Sequence, residues 1–391
     1  MDFSLTEEQT MIRDSCRQFM TQRYALESWT RVAAGGGFGR ENWQELADLG
    51  YLAIGLPEEH GGMGGVVELS VVCQEFGRGL LLEPFIDSAV LASRLISVAG
   101  SKQQQATLLP SMARGDCIVT LAHAEGDQRE GDSLGTHVRE DAEGYVLSGQ
   151  KSLVVGGAEA DWLIVSARSD GVRSSRSEGV LEGGSVVLLL VDPKAPGVSS
   201  RKVPLVDQRS CIEVQFEGVR ISKEQRLPGR GEEALADGLR HATLAACAEL
   251  VGVADRAFEL AVEYLKGRTQ FGVSLASLQA LRHRVADLAI DREIARATLL
   301  LLLASFQDPK GYDPALNAAL AKAQLGRLCR RVCAQAIQLH GAMGMTAECG
   351  VGRFFARANV LNSLYGQTDA QFDAYARLLT QNLRKEATQR A

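Results

Sequence analysis

Two short segments in the last third of the chain carry residue types that suit the binding of a phosphorylated ligand. In GRTQFG, Arg268 stands three residues before Phe271, which places a cation beside an aromatic ring at a Phe-Gly turn. In QLHGAMGM, Gly341 and Gly344 allow the backbone to approach a ligand closely, because glycine has no Cβ. Each segment taken alone is more simply a helix end followed by a tight turn.

The composition is that of an ordinary globular chain. Of its 391 residues, 46% are hydrophobic and 23% are charged, and a net charge of -6 without a dense Lys/Arg stripe argues against a nucleic-acid partner. The longest apolar run, residues 297–306, is shorter than the roughly 20 residues of a membrane span. The acidic N-terminus lacks the apolar core of a signal peptide, and the cysteines form no metal-binding pattern. We therefore predict a cytoplasmic protein without a metal.

The periodicity of apolar residues divides the chain into three parts. A helical N-terminal domain is predicted for 1–116, and its first helix opens with a capping box from Thr6 to Gln9. Short β-branched segments predict a middle β domain, a small barrel or sandwich, for 117–230. Within it, the Ser/Gly-rich residues 169–185 are predicted to form a hairpin loop. The helical period then returns and predicts three long helices in a C-terminal helical domain for 231–391.

Together, these segments and the helix–strand–helix order resemble the acyl-CoA dehydrogenase family over essentially the whole chain. GRTQFG resembles its Arg-x-x-Phe-Gly signature, QLHGAMGM its Gln-x-x-Gly-Gly-x-Gly signature, and GYVLSGQKSLVV the first strand of its Gly-x-Lys strand pair. The resemblance implies an α+β multidomain fold with a C-terminal four-helix bundle. It also implies FAD-dependent α,β-dehydrogenation of an acyl-CoA thioester in a homotetramer or related assembly. An electron-transfer flavoprotein or similar acceptor would receive the electrons.

The same resemblance assigns contacts with FAD. The strand TLAHAE would bond the polar edge of the isoalloxazine ring through its backbone, and His123 would contribute its main chain rather than its ring. The segment LVV would cover another part of the ring, and Arg268 and Phe271 would meet FAD bound to the neighbouring subunit. The implied cofactor contacts are Ala122, His123, Ala124, Leu153, Val154, Val155, Arg268, Phe271, Leu278, Gln279, Gln338, Leu339, His340, Gly341, Ala342, Gln367 and Thr368.

The chain departs from the family at the catalytic base. The family's Tyr-Glu-Gly-Thr loop reads Leu-Tyr-Gly-Gln here, so Tyr365 stands in the place of the carboxylate, and the family's other base position falls on Ala242. A phenol, whose ordinary pKa is about 10, is protonated at neutral pH, so Tyr365 is not a base. Leu153 replaces the Trp over the flavin, and Val155 replaces the Thr near flavin N5.

Glu249 is the candidate base. A spacing of seven residues places it on the helical face of Ala242, and its neighbours at three and four residues are alanine, glycine or valine, which offer no charge partner. A buried carboxylate without a partner is costly unless it has a role. The alternatives are that Glu249 faces solvent or bonds a buried group on another helix. Asp369 is the runner-up, although it is more simply a charge at a helix N-terminus.

The resemblance also places the CoA end of the substrate at Arg240 and His241, for which a solvated surface is the alternative. The departures at the base resemble the dehydrogenases of bacterial steroid and bulky-acyl catabolism, many of which are α2β2 heterotetramers. Small residues along LAACAELVGVA would leave room for a bulky group. We predict dehydrogenation of a branched or polycyclic acyl-CoA. A flavin oxidase or monooxygenase, or a non-catalytic subunit of a heterotetramer, are the alternatives.

Overall fold

The computed structural model describes residues 4–126, 134–169 and 184–390. Helices form the N-terminal and C-terminal parts of the chain and a sheet forms the middle, so the predicted fold class is confirmed. Residues 170–183, most of the predicted hairpin loop, lie outside the described residues. Within those ranges, no helix combines the length and the apolar character that a membrane crossing requires.

The N-terminal part begins with the predicted capping box. The Thr6 hydroxyl accepts a hydrogen bond from the Gln9 amide at 3.2 Å, and the Gln9 side-chain oxygen accepts one from the Thr6 amide at 3.1 Å. Further along, a π-helical segment, Phe85–Ala92, is buried at every residue. The α-helices of this part are α1 (Glu7–Arg23), α2 (Leu26–Ala34), α3 (Arg40–Asp48), α4 (Val66–Gly79), α5 (Ser93–Ala99) and α6 (Lys102–Ala113).

Among the described residues, the middle of the chain forms an eight-stranded sheet in the order β6-β7-β3-β2-β4-β5-β8, with β1 parallel to β4. Its strands are β1 (Val119–Ala122), β2 (His137–Glu140), β3 (Tyr145–Val155), β4 (Trp162–Ser169), β5 (Val186–Val191), β6 (Val198–Lys202), β7 (Cys211–Ile221) and β8 (Arg226–Leu227). The pattern of branched apolar residues marks β1, β3, β4, β5 and β7 in the sequence, but it misses the short strands β2, β6 and β8. Strand β6 is missed because its VSSRK sequence is polar, in keeping with its exposure.

The C-terminal part, as far as residue 390, contains five α-helices and a short hairpin. The helices are α7 (Gly231–Gly267), α8 (Gln279–Gln307), α9 (Pro314–His340), α10 (Val351–Ser363) and α11 (Thr368–Arg390), and the hairpin strands are β9 (Thr269–Gln270) and β10 (Val273–Ser274). Glycines bring α4 and α7 into backbone contact. A Cβ on Gly252 would lie 1.9 Å from the Gln74 carbonyl oxygen, and one on Gly77 would lie 2.2 Å from that of Glu249. Helix α4 therefore fills the space beside Gly252 that the sequence suggested for an acyl group.

The chain packs into two compact units, and the N-terminal part contributes to both. The first unit comprises Met1–Thr30, Val66–Leu81 and Thr243–Ala391, and the second comprises Arg31–Gly65 and Leu82–Ala242. The first unit holds α4, most of α7 and the helices after it, so Glu249 and Tyr365 belong to one helical core. The second unit holds the sheet and α5 with the start of α7.

Candidate active site

The loop that carries Tyr365 is fixed by side chains of two long helices. Helix α10 ends just before it, and the buried ammonium of Lys322 on α9 donates to the carbonyls of Leu361 and Leu364, the latter at 2.6 Å. These carbonyls would otherwise lack helical partners. Thr243 on α7 donates its hydroxyl to the Tyr365 carbonyl at 3.2 Å. The loop therefore holds Tyr365 in a left-handed conformation, with φ of 55°.

Glu249 has a charge partner, although its neighbours on α7 had suggested that it has none. Its carboxylate accepts a hydrogen bond from Nε of Arg357 on α10 at 2.5 Å, and both side chains are buried. Arg357 also donates to the Leu81 carbonyl at 2.9 Å. The expectation failed because it considered only residues of α7, whereas the partner lies 108 positions away. The structure therefore has the alternative arrangement, in which Glu249 bonds a buried group on another helix.

In the second unit, His123 follows β1 and belongs to a buried polar cluster. Its Nδ1 lies 2.8 Å from the Ser166 hydroxyl, and Nζ of Lys151 donates to that hydroxyl, to the His123 carbonyl and to Glu125. The Lys151–Glu125 contact is 2.5 Å long and both side chains are buried. Because the Lys151 ammonium donates to Ser166, the serine hydroxyl proton is left to bond Nδ1 of a neutral imidazole.

This cluster shifts the pKa values of its three titratable members. Burial, followed by the charge of Lys151, lowers the pKa of His123 to about 4. Burial also lowers the pKa of Lys151 to about 8, against the opposing effect of Glu125. Burial opposes ionisation of Glu125, but hydrogen bonds from Lys151 and Thr136 outweigh it and lower the pKa to about 2. At neutral pH the cluster is an ion pair beside a neutral ring.

The residues of the second unit that are predicted to contact the flavin differ in how far their side chains are exposed. Leu153 is 43% exposed and has φ of 51°, at a point where the register of β3 against β7 shifts. Val154 and Val155 are buried, as is Ala122. The carbonyl of Ala124 accepts a bond from the Ser152 amide at 2.8 Å. Of Leu153, Val154 and Val155, only Leu153 therefore has a side chain that a ligand can contact.

The Arg-x-x-Phe-Gly segment forms the β9–β10 hairpin. Phe271 and Gly272 make its two-residue turn, with φ of 54° and 77°, and both Arg268 and Phe271 are exposed. Phe271 reaches 89% exposure, which is unusual for a large apolar side chain. Beyond the hairpin, Leu278 is half-buried at the N-cap of α8, and Gln279 is exposed as its first residue.

In the turn after α9, Gly341 and Gly344 have different structural roles. Gly341 ends the helix with φ of 63°, and a Cβ there would meet no atom within 4 Å. Gly344 packs back on the helix, because its Cβ would lie 2.5 Å from the Ile337 carbonyl oxygen. His340 is buried, stacks on Tyr264 at a centroid distance of 4.5 Å and contacts the Ala336 carbonyl through Nδ1 at 2.7 Å.

The remaining predicted residues divide between surface and interior. Gln338, Ala342 and Gln367 are exposed, whereas Leu339 is buried. Thr368 begins α11 and donates its hydroxyl to the Asn362 side-chain oxygen at 3.2 Å. The predicted runner-up base, Asp369, is exposed in the first turn of α11, where its charge suits the helix dipole. No cluster of three or more potential metal ligands occurs among the described residues.

Comparisons with known proteins agree with this architecture. The family models for the acyl-CoA dehydrogenase N-terminal, middle and C-terminal domains match residues 6–116, 126–219 and 229–380. The chain belongs to the acyl-CoA dehydrogenase family. It is 29% identical over 381 residues to acryloyl-CoA reductase (NADH) of Anaerotignum propionicum. The aligned region covers 94% of this chain and 93% of that protein.

Two solved structures share the fold over nearly their full length. The steroid ACAD Tcur3481-Tcur3483, in a variant form, is 27% identical with a TM-score of 0.85, covering 97% of this chain and 99% of that one. The ChsE4-ChsE5 complex of Mycobacterium tuberculosis is 25% identical with a TM-score of 0.84 and the same coverage.

The family is FAD-dependent, and the chain carries residues that fit this cofactor. The exposed Arg268 can bond a phosphate, the open backbone at Gly341 admits close approach of a ligand, and Leu153 offers an apolar platform. His340 fits less well as a direct contact, because its ring is occupied by Tyr264 and its own helix.

Proposed function

We propose that this chain catalyses the FAD-dependent α,β-dehydrogenation of an acyl-CoA thioester with a branched or polycyclic acyl group. The observation that carries the proposal is the loop at Tyr365, which side chains of α7 and α9 hold in place and which presents a phenol where the family has a carboxylate. The similarity to a steroid ACAD supports the bulky acyl group. FAD, when bound, supplies the acceptor for the hydride.

The chain's own residues would hold the cofactor and the substrate. Arg268 would bond a cofactor phosphate, and Leu153 would pack on the flavin ring in place of a Trp. Leucine is smaller than Trp, so the substitution leaves more space beside the ring. Arg240 and His241 would meet the CoA part of the substrate.

The proton removed from the substrate needs a base, and Glu249 remains our candidate within this chain. Its ion pair with Arg357 is an obstacle, because the carboxylate would have to accept a proton while a guanidinium is bound to it. The same ion pair favours a second candidate function. In this second candidate, the chain is a subunit of a heterotetramer and a related chain supplies the base.

A flavin-bleaching assay separates the two candidates. The protein is purified alone and after coexpression with a related chain, and flavin reduction by a steroid-side-chain acyl-CoA and by butyryl-CoA is followed without oxygen. Bleaching by the chain alone, lost about 10²-fold in Glu249→Gln with FAD retained, supports Glu249 as the base. Bleaching only with the partner, unchanged in Glu249→Gln, supports the second candidate. Efficient bleaching by butyryl-CoA with the chain alone contradicts the bulky substrate.

A further inference from the structure

A group of basic side chains lies where α5 meets the beginning of α7, within the second unit. Arg94 on α5 donates from Nε to Oδ2 of Asp237 at 2.6 Å. Arg240, one turn along α7, donates from Nη2 to Oδ1 of the same carboxylate at 3.0 Å. Gly238 permits the close approach of the helices, since a Cβ there would lie 3.0 Å from Leu95 Cδ2. One carboxylate thus bridges two guanidinium groups.

This bridge leaves positive charge and hydrogen-bond donors unused. Two arginines and one aspartate carry a net charge of +1, and the Arg94 and Arg240 side chains are 36% and 35% exposed. Within the described ranges, Arg94 uses only Nε, so its two Nη groups, which form the fork of the guanidinium, have no protein partner. A fork of this kind matches a phosphate or carboxylate with two parallel hydrogen bonds.

The nearby groups do not cancel this charge. Glu233, one turn before Asp237, is paired with Arg230 at 2.6 Å. His241 directs Nδ1 at the Asp237 carbonyl at 2.9 Å, and burial lowers its pKa, so its ring is neutral at neutral pH. The arginines are therefore the source of the positive charge, and Asp237 holds them in place.

We propose that Arg94 and Arg240, braced by Asp237, form an anion-binding subsite for an oxyanion group of the acyl-CoA ligand. This inference rests on the proposed function and adds Arg94, on a different helix, to the residues that meet the substrate. A phosphate of the CoA part is the expected anion, because each CoA molecule carries several. A carboxylate on the acyl group is the other source of the same chemistry.

Ligand binding to the intact FAD-loaded protein tests the subsite by isothermal titration. The probes are CoA, pantetheine, succinyl-pantetheine and inorganic pyrophosphate. We expect Arg94→Gln to weaken CoA and pyrophosphate roughly tenfold, the scale of one charge-assisted hydrogen bond, and to leave pantetheine unchanged. Arg240→Gln provides a second variant of the subsite. Arg201→Gln is the matched control, because Arg201 is an exposed arginine paired with Glu213 on β6 and β7.

The outcomes identify the anion, and they separate a failure of the subsite from a failure of the proposed function. Selective weakening of succinyl-pantetheine would assign the subsite to an acyl carboxylate. Unchanged affinity for all four probes in both variants, or an equal loss for pantetheine and CoA, would overturn the subsite. A wild-type protein that binds pyrophosphate through Arg94 but binds neither CoA nor pantetheine would retain the subsite and contradict the proposed function.

Discussion

Glu249 and Arg357 form an ion pair inside the helical core, with Nε of Arg357 2.5 Å from Oε1 of Glu249. Glu249 lies where α4 packs closely on α7, and Arg357 reaches it from α10. Only 3% of Glu249 is exposed, so this carboxylate has exchanged water for a guanidinium. The pair ties α7 to α10, the helix that leads into the loop of Tyr365.

Removing one member of this pair should destabilise the protein more than removing both. Glu249→Leu or Arg357→Met leaves a buried charge without its partner, which costs about 3–5 kcal/mol of unfolding free energy. The double variant removes both charges, so we expect it to recover most of that loss. Urea unfolding of the four proteins measures the coupling. Additive losses in the double variant would mean that the two charges do not depend on each other.

Tyr365→Glu should give the chain a base at the family's position. Lys322 and Thr243 bind backbone carbonyls of the loop, so the substitution keeps the bonds that fix it. We expect substrate-driven flavin bleaching by the chain alone to increase by about 10² or more, the usual scale of general-base catalysis. Tyr365→Phe is the matched control and should leave the rate near that of the wild type. No gain in Tyr365→Glu, with FAD bound, would show that the substrate does not reach residue 365.

His123 should make the second unit sensitive to mild acid. Its pKa falls from 6.5 to about 4 on folding, so the unfolded chain binds a proton first as the pH decreases. The neutral His123 ring contributes up to about 3 kcal/mol to the unfolding free energy. This contribution is fully present above pH 6.5 and is lost as the pH falls to about 4. His123→Val should flatten this part of the stability profile, measured by urea unfolding at several pH values. His283→Asn, at an exposed histidine, should not change it.

Arg268→Ala should weaken the retention of FAD. The exposed guanidinium on the β9–β10 hairpin can make a charge-assisted bond to a cofactor phosphate, worth about 1.5–3 kcal/mol. The flavin-to-protein ratio after dialysis reports the loss, and Arg201→Ala serves as a surface control. Equal flavin content in Arg268→Ala and the wild type would remove Arg268 from the cofactor site.

The sequence indicated the local features of this protein more fully than the long-range ones. The capping box at Thr6 and the three long helices from α7 to α9 follow from periodicity and short motifs, which act within a few residues. Arg357 and Arg94 were missed because their partners, Glu249 and Asp237, lie 108 and 143 positions away. The role of Lys322 was hidden for the same reason, since a lysine among apolar residues of α9 does not reveal which carbonyls it reaches.

The burial of Lys151 and Lys322 has a practical consequence for chemical labelling. Lys151 is 1% exposed in the second unit and Lys322 is 0% exposed in the first, so amine-reactive reagents in water reach neither in the folded chain. Acylation at each amine then requires an opening of the unit that contains it. Mass spectrometry of the two labelled peptides over time would therefore time the opening of each half of the molecule separately, from a single sample and without any substitution.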